Sequence, residues 1–235
     1  MTDPNRPAID TVILLHGLGL GSWAMARLES RLRADGFRTA NLTYPSRTMP
    51  VERLAGEWLP ERWNERGATE GARTHFVTHS MGGIVLRTWL RDEMRRNGGQ
   101  PPEGLGRIVM LAPPNQGSEV VDRLRQFPPF RWFTGVNGQR LGTGADSLPL
   151  ALGPWPDSVE LGVIAGDRSL NPLFSAWLGG NDDGKVAVSS TLIDGMADHL
   201  VLSHSHTWLQ WRADTARAVV CFLHHGRFAQ NTPEK

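Results

Sequence analysis

Apolar residues in this chain come in short β-branched blocks separated by longer stretches with helical spacing. "TVILLHG" (11–17) is a continuous apolar run ended by glycine, the pattern of a strand buried on both faces. "SWAMARLESRLRADGF" (22–37) repeats apolar side chains at Trp23, Met25, Ala26, Leu28 and Leu32 and stops at Gly36, which predicts an amphipathic helix. "RTANLTYPS" (38–46) reads as a second strand closed by Pro45, and "PVERLAGEWLPERWNER" (50–66) as a helix that Pro60 breaks or kinks. "THFVTHS" (74–80) is a third strand, and "MGGIVLRTWLRDEMRRNGG" (81–99) is a helix that starts almost without a loop.

"RIVMLAPP" (107–114), "VELGVIAG" (159–166) and "HLVLSHS" (199–205) supply three more strands, and "WRADTARAVVCFLHHGRF" (211–228) a closing helix. Strands alternating with helices imply right-handed crossovers. The expected fold class is therefore α/β, a mostly parallel sheet of about six strands with helices on both faces. Between Ser118 and Pro156 the periodicity fails in favour of Pro, Gly and aromatic residues. A long insertion of that kind is expected to form a lid or binding loop.

Length and composition narrow the class without changing it. A chain of 235 residues suits one domain over 1–235 with one sizeable core. Twenty-five Lys and Arg against 24 Asp and Glu give a net charge of +1, which offers no footprint for nucleic acid. The arginines at 91, 95 and 96 read as the solvated face of a helix. Cys221, the single cysteine, has no internal disulfide partner and no metal-type spacing, and "AVVCFL" suggests a buried thiol. The nine tryptophans are expected mainly in packing. "MTDPNRPAID" lacks the apolar block of a secretory signal, and no run of about 20 apolar residues occurs. A soluble, cytoplasmic protein is the expectation.

In a wound parallel sheet, chemistry gathers beyond the carboxyl ends of the strands. There the sequence places His16-Gly17-Leu18-Gly19, Thr78-His79-Ser80-Met81-Gly82-Gly83, the segment 113–118, Asp167, and Ser203 to His206. Ser80 stands between a strand and a helix, the context of a nucleophile elbow, whose neighbours must be small because the turn is tight. The departure is Thr78, a β-branched residue where the elbow motif has its first glycine. A serine that merely caps a helix is the alternative. "LLHGLG" after the first strand supplies a second, independent signal. Acyl transfer needs two preorganised N–H donors for its oxyanion, and the natural pair is the amides of Leu18 and Met81.

"LLHGLGLGSW", "THSMGG", "APPNQGS", "NDDGKVAVSS" and "SHSHTWL", in this order over residues 10 to 225, resemble the lipase/esterase branch of the α/β-hydrolase superfamily. "YPS" after the second strand is a further similarity. The resemblance implies the α/β-hydrolase fold, a Ser–acid–His triad in that chain order, two-step acyl transfer and no cofactor or metal.

For the acid, Asp167, Asp182 and Asp183 compete: "GDRS" ends a strand, whereas the family's D-G-x-V pattern matches Asp183 to Val186. For the base, His199 falls at the far end of its strand, leaving His204 and His206; the family's histidine before a polar-aromatic helix start favours His206. His79 belongs to the elbow, and His16 braces the oxyanion turn. The expected catalytic set is Ser80, Asp183 and His206, with Trp23, Phe130, Trp132 and Phe133 as apolar walls for an acyl chain. The expected activity is a serine esterase or lipase on a small-molecule or lipid acyl ester, with transient lipid-interface contact through the insertion. A thioesterase, amidase or acyltransferase on the same triad is the first alternative, and a catalytically silent hydrolase-fold binding protein the second.

Overall fold

The computed structural model describes residues 8–65 and 71–229; the polar start of the chain (1–7) and the expected helix end at Arg66 lie outside them. Six strands, β1 (Thr11–Leu15), β2 (Arg38–Leu42), β3 (Thr74–His79), β4 (Leu105–Leu111), β5 (Leu161–Gly166) and β6 (Asp198–Leu202), form one sheet in the order β2-β1-β3-β4-β5-β6. Every pairing is parallel. The order reverses beside β1, so the carboxyl ends of β1 and β3 flank the topological switch point where such sheets bind ligands.

The apolar blocks become strands because both faces are covered. Along β1, Ile13 and Leu15 enter one core cluster and Val12 and Leu14 the other, as a period of two requires. On one face lie α1 (Ala26–Ala34), with Leu28 and Leu32, and the C-terminal helix Ala213–His225, with Val219, Phe222 and Leu223. The opposite face is covered by residues 51–65 and by the helix Met81–Arg96, whose Trp89 packs on Phe76 at 5.4 Å between ring centroids. Each of these large side chains, fully buried, contributes about 1.5–3 kcal/mol of transfer free energy.

Pro60 does not break its helix. The segment, α2, opens at Val51–Arg53, widens to a π-turn over Leu54–Trp58 and returns to α at Leu59–Glu65. The wider turn removes the need for the i−4 bond that a proline nitrogen cannot donate. The helix Met81–Arg96, α3, runs through without interruption and buries its first ten residues. One of them is Arg87, whose guanidinium donates to Asn115 O, Pro149 O and Gly153 O. Burial lowers its pKa to about 10, so it stays charged at neutral pH.

The stretch 118–156 has no sustained period in the sequence, yet it forms three short helices: α4 (Glu119–Leu124), α5 (Pro128–Gly138) and α6 (Leu148–Ala151). They are local turns held by tertiary bonds such as those from Arg87. After β5 come α7 (Pro172–Leu178) and, closing the chain, α8 (Ala213–His225). Cys221 lies half-exposed on α8 rather than buried, because its neighbours Val219, Phe222 and Leu223 take the inward face. Among the described residues no helix is long and apolar enough to cross a membrane.

Candidate active site

Ser80 sits between β3 and α3 with φ 53° and ψ −124°, a conformation that costs a residue other than glycine about 1–3 kcal/mol. Two main-chain bonds hold the turn: Ser80 N–H donates to Leu111 O (2.8 Å), and Gly83 N–H to Ser80 O (2.9 Å). Ser80 occupies the N-cap position of α3, but its side chain caps nothing. Its Oγ lies 3.0 Å from His206 Nε2 instead.

His206 follows β6 and is buried. Its Nδ1 lies 2.7 Å from Asp183 Oδ2, and a carboxylate only accepts, so Nδ1 carries the ring proton and Nε2 the lone pair. The Ser80 hydroxyl is thus the donor to Nε2. Asp183 is fixed independently: its Oδ1 accepts the N–H groups of Lys185 (3.0 Å) and Val186 (2.9 Å), and its carbonyl accepts from His206 N–H (2.9 Å). Gly184 takes the left-handed φ of 94° that lets the loop fold back onto the carboxylate.

The two competing acids point elsewhere. Asp182 accepts from Gly184 N–H and Ser175 Oγ, an Asx-type turn that shapes the loop. Asp167, just beyond β5, donates its N–H to Leu202 O, and its Oδ1 is buried without a partner among the described residues. Of the competing histidines, His204 donates its Nε2–H to Asp214 (2.7 Å), and His199 sits at the opposite end of β6 beside Thr191 Oγ1 (3.0 Å).

Met81 opens α3, so its N–H has no intrahelical acceptor. Among the described residues the N–H of Leu18 also has no hydrogen-bond partner. The turn that carries Leu18 is braced by His16, which donates Nδ1–H to Gly17 O (2.7 Å), accepts Tyr44 N–H at Nε2 (3.2 Å) and stacks on the Tyr44 ring at 4.2 Å. Tyr44 Oη donates to His16 O at 2.6 Å. Burial lowers the pKa of His16 and raises that of Tyr44, so both stay neutral.

Thr78 is tolerated because Gly83, one helical turn into α3, has no side chain. A Cβ there would lie 3.3 Å from Thr78 Oγ1 and 3.2 Å from Met110 Sδ. Of the aromatic residues expected as pocket walls, Phe130 packs against the core. The others form an exposed rim rather than a buried wall: Trp23 is 61% exposed, Trp132 77% and Phe133 58%. Arg47 lies over the Trp132 and Phe133 rings at 5.5 and 5.7 Å, so these two are held by a cation–π sandwich on the surface. Sequence reasoning gave no role to Ser46, Arg47 or Asn137, which tie the insertion to this edge; "YPS" was the only signal. Among the described residues, no group of three His, Cys, Asp or Glu side chains is placed to hold a metal ion.

Fold and sequence agree on the class. Residues 12–226 match the model of the alpha/beta hydrolase family, and the chain belongs to it. The mature Bacillus licheniformis lipase BlEst2 superposes with a TM-score of 0.65 at 17% identity, covering 86% of each chain. The Paleococcus ferrophilus monoacylglycerol lipase gives 0.57 at 15% identity, over 92% of this chain and 94% of that one. Phospholipase PlaB from Legionella pneumophila gives 0.60 at 19% identity, over 77% of this chain and 45% of the other. No curated protein sequence matches the chain significantly.

Proposed function

We propose that this α/β hydrolase is a serine carboxylic-ester hydrolase that cleaves acyl esters through an acyl-enzyme on Ser80. The observation that carries the reading is the continuous chain Ser80 Oγ···His206 Nε2 (3.0 Å) and His206 Nδ1···Asp183 Oδ2 (2.7 Å), anchored on a strained elbow. His206 takes the Ser80 proton as Oγ attacks the ester carbonyl, and the Leu18 and Met81 amides receive the oxyanion. Collapse of the tetrahedral adduct passes the proton from His206 to the departing alkoxide, leaving acyl-Ser80. A water then attacks with His206 as base, the carboxylic acid leaves, and the Ser80 hydroxyl is restored. Asp183 holds the imidazole in the productive tautomer throughout.

Lipases and a phospholipase among proteins of like fold favour acyl esters of lipids as substrates. The exposed Phe127, Trp132, Phe133 and Val136 of the insertion favour transient contact with a lipid surface. The test is hydrolysis of p-nitrophenyl esters of increasing chain length by wild type and Ser80→Ala, with fluorophosphonate labelling read by peptide mass. Wild-type turnover, background rates for Ser80→Ala and an adduct on the Ser80 peptide are expected. Equal activity in the two proteins overturns the assignment.

A further inference from the structure

The "YPS" segment after β2 and the insertion meet at one residue, Asn137, which is fully buried 91 residues further along the chain from Ser46. Its amide spends its hydrogen-bonding capacity on one loop. Nδ2 donates to Ser46 O and Met49 O, both at 2.8 Å, and Oδ1 accepts Val51 N–H at 3.0 Å. Ser46, itself 3% exposed, turns its hydroxyl the other way and accepts Gly19 N–H at 3.0 Å. Gly19 is the residue next to Leu18. The insertion is clamped at neighbouring points as well: Val136 N–H donates to Arg47 O (3.0 Å), Arg47 donates to Trp132 O (2.6 Å), and α5 is interrupted at Gly135, φ 64°, where it lies against the Arg47 carbonyl.

We infer that Asn137 and Ser46 are positioning residues for the oxyanion donor at Leu18: Asn137 fixes the Ser46 main chain, and Ser46 fixes Gly19. The inference rests on the acyl-transfer reading above. The physical reason is that a donor contributes to catalysis only if it is aimed before charge develops, and the turn 17–19 is otherwise a glycine-flanked loop. His16 and Tyr44 hold the first half of that turn. The Asn137–Ser46 pair holds the second, so the insertion is bolted to the catalytic edge through α5 rather than hinged over it.

The test compares Ser46→Ala, Asn137→Ala and the double variant with wild type on a soluble short-chain ester, after titrating active sites with a fluorophosphonate. Ser46→Ala removes one acceptor and no apolar volume, so it keeps the question answerable if Asn137→Ala fails to fold. Expected are kcat lower by about tenfold, a fraction of the 100- to 1000-fold cost of losing a donor outright; KM within about twofold; and affinity for a boronic-acid transition-state mimic weakened in step with kcat. The pH–rate profile stays in place because His206 is untouched. The double variant loses no more than the weaker single, since both act along one path.

Unchanged kcat and boronate affinity per titrated site in Ser46→Ala overturn the inference. So does a loss confined to melting temperature or to the titrated fraction, the mark of a merely structural role. If wild type hydrolyses no ester and Ser80 takes no label, the acyl-transfer reading fails instead.

Discussion

His79 donates its Nε2–H to the main-chain carbonyl of His206 at 3.0 Å, and the two rings lie 4.9 Å apart. The residue beside the elbow serine therefore grips the backbone of the residue facing that serine. The other nitrogen of His79, Nδ1, is buried without a partner among the described residues. Burial first, and the neighbouring His206 second, push the His79 pKa well below 6.5. The ring stays neutral and leaves His206 free to take the proton.

Acid stability follows from that neutrality. His16, His75, His79 and His199 all have pKa values lowered, chiefly by burial, from the ordinary 6.5. The unfolded chain then binds more protons than the native one once pH drops below about 6.5, so the stability these rings confer is present above that value and drains away beneath it. Thermal melts from pH 8 to pH 4.5 are expected to hold nearly level to about pH 6.5 and then fall. Replacing His79 with Gln, which keeps a donor for the His206 carbonyl and does not titrate, should flatten part of that fall.

The three acidic candidates separate by substitution. Asp183→Asn is expected to lower kcat by about 10⁴-fold with the fold intact, since the amide no longer holds the imidazole in its tautomer. Asp182→Asn should lose stability rather than chemistry, because its carboxylate supports the turn through Gly184 and Ser175. Asp167→Asn should keep most of the activity. Steady-state kinetics with melting temperatures on the three variants decide, and a larger loss in Asp167→Asn than in Asp183→Asn would reject the assignment.

Thr78 carries a hydroxyl that is buried without a partner among the described residues. Thr78→Val keeps the shape and removes the unsatisfied group, so it should stabilise the protein by about 1 kcal/mol. Gly83→Ala should do the opposite, because its new methyl would sit 3.2–3.3 Å from Met110, Pro113 and Thr78. Chemical denaturation of both variants measures the two signs.

The aromatic rim offers a separate test of lipid contact. Trp132→Ser with Phe133→Ser removes side chains that are 77% and 58% exposed and should change stability by no more than about 0.5 kcal/mol. Rates on emulsified long-chain esters are expected to fall about tenfold, a difference of about 1.4 kcal/mol, while rates on a soluble short-chain ester stay level. Equal effects on both substrates would argue against interfacial contact.

By itself the sequence determined the order of strands and helices, the elbow at Ser80 and the glycine turn after β1. Each of these is written locally: apolar period, glycine position and strand-to-helix junction lie within a few residues of one another. It also narrowed the partners of Ser80 to three acids and two histidines. Only the tertiary structure decided among them, because side-chain direction at Asp182 and Asp183 reverses between adjacent residues and depends on how residues 182–187 fold back. The same holds for the insertion, where Arg87, Arg47 and Asn137 form helices out of an aperiodic stretch through bonds to segments 28 to 91 residues away. Thr78 shows the relation most plainly: a β-branched residue at the elbow conflicts with the local rule, and the space it needs comes from Gly83, which meets it only after β3 and α3 have packed.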